Sequence, residues 1–160
     1  MKKYEAYYSI SIVNLVIAIV LIAALGFIVF YKIFAVDAQI KAIEVSQQAG
    51  KWNKLLVAYA ISNEKLGSFK EIGYIPYGNV ESDGESSKSK YFSYNSDLEN
   101  GKGRFFATNR VKLDKCLKYE GQWLAYGNPE QVVGNAVVEL PVPKCAILTP
   151  DFELLKAGTL

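Results

Sequence analysis

The hydrophobic and polar positions divide the chain into three stretches with different periods. From Ile10 to Phe34 (ISIVNLVIAIVLIAALGFIVFYKIF) almost every position is apolar, and the 26 residues from Ala6 to Tyr31 carry no charge. As a helix this uncharged run is about 39 Å long, more than the roughly 30 Å of a bilayer's hydrocarbon, and apolar on all sides, which predicts a membrane span. From Ala35 to about Leu66 charges return and apolar residues take helical spacing at Ile40 and Ile43, then Trp52, Leu55, Leu56 and Tyr59. No proline precedes Pro76, so both stretches can form one helix of about 55 residues. Gly50 marks a candidate bend, and Asn63 and Gly67 are the stop signals. A membrane anchor followed by a separate helix is the alternative.

After Lys90 the period becomes two. YFSYN, GRFFATN, GQWLAYG and VVGNAVVEL are short, rich in aromatic and β-branched residues, and separated by Asn, Gly and Asp. They predict an antiparallel meander of about four strands, with Asn100-Gly101 as a hairpin turn, packed on Trp52, Leu55, Leu56 and Tyr59. Between helix and strands, Gly67–Asn79 reads as loop and Val80–Lys90 (VESDGESSKSK) as an exposed polar connection. The fold class is therefore α+β, a long N-terminal helix on an antiparallel sheet.

Composition narrows the function. Of 160 residues 51% are apolar, enough for one span and one small domain. The net charge of +2 comes from the N-terminal part, because residues 37–160 hold 15 Lys/Arg and 15 Asp/Glu. A neutral domain argues against a general nucleic-acid binder. Arg104, Arg110, Lys112, Lys115 and Lys118 form a locally basic stretch, which reads first as a charged strand edge and alternatively as a contact for nucleic acid or anionic lipid. The chain has no histidine, no phosphate-binding glycine loop and only two cysteines, so neither a nucleophilic triad nor a histidine metal site is expected. No enzyme activity, cofactor or metal is expected. Glu81, Asp83 and Glu85 lack the spacing of a calcium loop and read as solvated. The 11 Tyr, 8 Phe and 2 Trp mostly fill a small core, with an exposed row that stacks on sugar rings as the alternative. Cys116 and Cys145, an even count in an exported chain, read as one disulfide; two buried thiols are the alternative.

The N-terminus carries a more specific pattern. The basic pair Lys2-Lys3, then Ser9 followed by I-S-I-V-N-L and the long apolar run, resembles the N-terminal segment of type IV pilins and type II secretion pseudopilins. The resemblance implies a leader over residues 1–9, cleaved by a prepilin peptidase between Ser9 and Ile10, and N-methylation of the new terminal Ile10. It also implies a filament-core helix over 10–34 and a periplasmic or extracellular pilin-like domain over 35–160. Two positions depart from the family pattern: Ser9 stands where Gly is usual, and Asn14 where the family has the Glu that pairs with a neighbour's terminal amine during assembly. A C-terminal disulfide loop, here Cys116 with Cys145, is common in type IV pilins. IGY at 72–74, FSY at 92–94 and AxNxxxLxxC from Ala107 to Cys116 also resemble a pilin-like branch found in cellulose-degrading anaerobes. The implied function is to polymerise with other pilin subunits, from an inner-membrane precursor with a cytoplasmic N-terminus to a surface or periplasmic filament. As a signal peptide the N-terminus fits poorly, its apolar region being too long, although a cut after Ala38 satisfies the small-residue rule. The alternative function is a single-span anchored binding domain, carbohydrate-binding among its options, that does not polymerise.

Overall fold

The computed structural model describes residues 12–127 and 136–157. One helix, α1 (Ile12–Asn63), opens the described chain. Six strands follow: β1 (Asn79–Val80), β2 (Ser86–Lys88), β3 (Phe92–Glu99), β4 (Lys102–Asn109), β5 (Gln122–Tyr126) and β6 (Val137–Glu139). A four-residue helix α2 (Pro143–Ala146) and a 3-10 helix (Pro150–Ala157) end it. The chain forms two compact units, with the boundary between Val36 and Asp37.

In the first unit the described residues are helical and their large apolar side chains are exposed, Ile12, Leu15, Val16, Ile17, Ile19 and Val20 among them. Consecutive helical residues point about 100° apart, so these side chains cover the whole circumference. This helix is long and apolar enough to cross a membrane. The helix runs unbroken through Gly50, which marks no break in it.

The second unit packs the rest of α1 on the sheet. Ala38, Ala42, Val45, Ala49, Trp52 and Leu56 are buried at alternating steps of four and three, one stripe along the helix. Facing it are Phe92 and Tyr94 of β3, Phe105 and Ala107 of β4, and Trp123 and Ala125 of β5, all alternate residues of their strands. Rings meet rings in this layer: Trp52 lies 5.6 Å from Phe105, and Phe92 5.6 Å from Trp123, centroid to centroid. The stripe differs from the apolar positions picked from the sequence. Trp52 and Leu56 are buried and Tyr59 is half-buried, but Ile40, Ile43 and Leu55 are exposed at 63, 42 and 43%. The reason is size. A sheet face built of large rings leaves room for alanine on the helix, so the bulkier aliphatic residues fall off the interface.

The sheet is an antiparallel meander in chain order, β1 to β6, with six strands rather than about four. Of the additional pair, β1 straddles the segments read as loop and as exposed connection, and β2 lies within the latter. Two of the connection's four serines, Ser87 and Ser89, are buried, while Ser82 is exposed. Asn100 and Gly101 join β3 to β4 with φ of 53° and 74°, the two left-handed residues of a type I′ turn. At that end of the sheet Leu56 lies over Gly103, where an added Cβ would meet its methyl at 3.2 Å. The helix stops at Asn63, with Glu64 rather than a glycine taking the left-handed conformation (φ 54°). Of the fourth sequence-predicted strand, residues 132–135 lie outside the described residues and Val137–Glu139 pair with β5. Leu148, Phe152 and Leu155, in and around the final helices, complete the core.

Candidate functional site

Ser9 and Ile10, the expected cleavage and methylation positions, lie outside the described residues. Asn14, the expected assembly position, is described: it lies in α1, exposed among exposed Val13, Leu15 and Val16. Its side chain supplies a carbonyl acceptor and two N–H donors within an otherwise apolar surface. In hydrocarbon such a group seeks a partner on another helix, and it carries no charge with which to neutralise an amine.

Cys116 and Cys145 form a disulfide, Cα to Cα 4.8 Å, across 29 positions of sequence. The loop that holds Cys116 is built by Asn109, the fully buried last residue of β4. Its Nδ2 donates to the carbonyls of Val111 (2.8 Å) and Leu117 (2.6 Å), and its Oδ1 accepts from the N–H of Gly121 (2.7 Å). Leu113 fills the loop interior and bridges to Cys116. The Asn, Leu and Cys of the AxNxxxLxxC pattern are thus three parts of one loop. Glu120 approaches both sulfurs, but joined sulfurs are not thiolate ligands. Lys144 at 2.7 Å and the Leu117 N–H at 2.9 Å occupy its carboxylate, and Lys144 first holds its pKa below the usual range.

The acidic triplet is structural rather than merely solvated. Glu85 accepts from the hydroxyls of Ser68 (2.7 Å) and Ser96 (3.0 Å), and Ser96 in turn accepts from the N–H of Phe69 (2.7 Å). These bonds tie the segment after α1 to β3. Asp83 accepts from the hydroxyl and N–H of Ser86 and the N–H of Glu85, with the hydroxyl the main cause of its lowered pKa. Glu81 pairs with Lys88 at 2.8 Å. The signal for this network was the serine content of residues 82–96, which polarity alone reads as solvent-facing.

The basic stretch is not one patch and not an edge. Strand β4 lies inside the sheet, between β3 and β5. Arg104, near the hairpin, pairs with Asp97 and Glu99, whereas Arg110 lies just past the other end of the strand. Six residues of extended chain, about 20 Å, separate the two. Arg110 Nη1 donates to the Ser89 carbonyl at 2.6 Å. Both tryptophans are fully buried in the core, so the alternative of an exposed row stacking on sugars is left with tyrosines and phenylalanines alone. The outer face of the sheet does hold an open groove, floored by Phe106 and Leu124 and rimmed by Asn95, Thr108, Gln122 and Glu139. Comparisons of the chain with protein-family models, with curated proteins and with solved structures return no match.

Proposed function

We propose that the chain is a structural subunit of a pilin-type filament, inserted in a membrane as a precursor and polymerising through its apolar N-terminal helix. The observation that carries this reading is α1 itself. One 52-residue helix contains both an all-round apolar run and, further along, the buried stripe of a disulfide-closed α+β unit. A plain anchor needs only the span, whereas a filament needs an apolar rod joined to a rigid head. In this reading the membrane and the filament centre are alternative apolar surroundings for residues 12–34. The hydrophobic term differs little between them, so close packing and polar contacts decide assembly. Asn14 contributes a hydrogen bond, on the order of 1 kcal/mol, where the family's Glu would form an ion pair. The chain should therefore enter filaments less readily than a Glu-bearing partner, as a minor or initiating subunit would. The partners implied are a prepilin peptidase, other pilin subunits and the membrane.

The test is to compare sheared filament fractions from cells expressing the natural chain and the Asn14→Glu variant. More chain per filament is expected for the variant. Long homopolymers of the natural chain would overturn the minor-subunit reading, and no filament with either would overturn polymerisation. The groove on the outer sheet face favours one second reading, an anchored binding domain that stays in the membrane. An uncut N-terminus at Met1 would support that reading.

A further inference from the structure

We infer that one end of the globular unit, formed by Lys41, Lys90, Tyr91, Arg110 and Lys112, docks on the anionic phospholipid headgroups of the membrane that holds the apolar helix. The inference rests on the membrane-span reading and not on filament assembly.

The register of the sheet brings these residues together. Phe92 pairs with Asn109, so Tyr91 and Arg110 lie side by side past the last rung of β3 and β4, and the Arg110 N–H donates to the Tyr91 carbonyl at 2.7 Å. Two ammonium groups lie over the Tyr91 ring, Lys41 at 5.5 Å and Lys90 at 5.3 Å from its centroid. A cation placed on a ring is held in position without being neutralised, which applies to Lys90, whereas Lys41 is also paired with Asp37. Lys88, Lys90 and Arg110 also line a shallow cleft with Tyr77, which is 71% exposed. Lys112 is exposed in the loop that leaves from Arg110 and returns through Tyr119 to Asn109. The carboxylates facing this end are fewer. Asp37 pairs with Lys41 and Glu81 with Lys88, Asp114 lies in the same loop, and Glu44 accepts from the Tyr94 hydroxyl. At the opposite end of the sheet Asp97, Glu99 and Glu139 stand against Arg104 and Lys102.

Chain continuity selects the partner. Lys41 is seven residues beyond Phe34, the last residue of the apolar run. Even fully extended, that chain holds Lys41 within about 25 Å of the end of the run. A cationic cluster tethered this closely to a bilayer meets headgroup phosphates before any soluble anion. Tyrosines with apolar bodies and polar tips suit the same interfacial layer. Each cation near an anionic surface multiplies the docked population by about fivefold.

The test uses the full chain in nanodiscs of phosphatidylcholine, or of phosphatidylcholine mixed with phosphatidylglycerol, and reads amide hydrogen exchange at residues 88–92 and 110–112. Slower exchange is expected in the anionic discs only, returning to the phosphatidylcholine rate at about 1 M salt, where the Debye length falls to about 3 Å. The double variant Lys90→Glu/Lys112→Glu changes two exposed side chains and leaves Arg110 on Ser89. It should reduce the protection by more than about 25-fold, fivefold for each cation lost and further for each carboxylate gained, whereas Lys102→Glu beside the hairpin should not. Equal exchange in both discs, or protection indifferent to the double variant, overturns the docking. Protection in phosphatidylcholine discs on adding inorganic phosphate would overturn it in favour of a soluble-anion site. Failure of the chain to enter discs would overturn the span reading together with this one, whereas entry without protection overturns the docking alone.

Discussion

The two buried tryptophans offer a direct check on the core, because their rings are alike and their N–H groups are not. Trp123 Nε1 donates to the Thr149 hydroxyl at 2.6 Å, while Trp52 Nε1, equally buried, has no acceptor among the described residues. Replacing either with Phe removes a similar piece of packed ring, and that cavity cost is common to both. The polar terms have opposite signs. Trp123→Phe forfeits a hydrogen bond and leaves a buried hydroxyl, together about 2 kcal/mol of destabilisation. Trp52→Phe removes an unpaired buried donor, returning about 1–2 kcal/mol against its cavity cost. The Trp123 variant should therefore lose about 3 kcal/mol more stability than the Trp52 variant. Urea unfolding of the full chain in detergent micelles reads this, each variant keeping one tryptophan as its fluorescence probe. Unchanged m-values would show that the difference lies in the native state. Equal losses, or a larger loss for Trp52→Phe, would refute the assignment of the two N–H groups.

Three further outcomes follow from the same structure. Joint replacement of Cys116 and Cys145 by Ser opens a loop spanning 29 positions and should cost about 3.5 kcal/mol on the chain-entropy model, and thiol labelling of the unreduced, denatured chain should find no free thiol. Burial, and for Tyr94 also the neighbouring Glu44, raises the hydroxyl pKa of Tyr74 and Tyr94, so their stabilisation is complete below pH 10, the unfolded value, and is lost as pH rises above it. In acid the sign reverses: the Ser68 N–H lowers the pKa of Glu71 and the Ser86 hydroxyl that of Asp83, so stability should fall as pH drops below about 4, and a pH series of melting temperatures checks both limbs. A fragment beginning at Asp37 should be soluble and monomeric by sedimentation; a folded fragment that aggregates would reveal an apolar face beyond the described core.

How legible the fold was depended on which residues carried each element. Asn100-Gly101 specified its hairpin because few other pairs accept two positive φ angles in succession. The apolar run was legible from length alone, and the cysteine pairing from an even count. The helix face was not. Hydropathy ranks isoleucine above alanine, yet Ala38, Ala42 and Ala49 are buried and Ile40 is not, because large rings across the interface set the spacing. Strands β1 and β2 were hidden for the opposite reason. Around them Ser86 donates to Asp83, Ser68 and Ser96 donate to Glu85, and Ser89 accepts from the Phe92 N–H, so a partly buried polar network carries the pattern of a surface loop. The same blindness affected the charges. Listed along the chain, Arg104 and Arg110 look like neighbours, and only the strand between them shows that they serve opposite ends of the sheet.

The mature N-terminus tests the filament reading most directly. Intact-mass and N-terminal fragment analysis of chain recovered from its native membrane should find a first residue Ile10, carrying one added methyl group, with residues 1–9 removed. A chain that begins at Met1, or one cut after Ala38, would contradict a pilin-type subunit and leave an anchored or a released domain in its place.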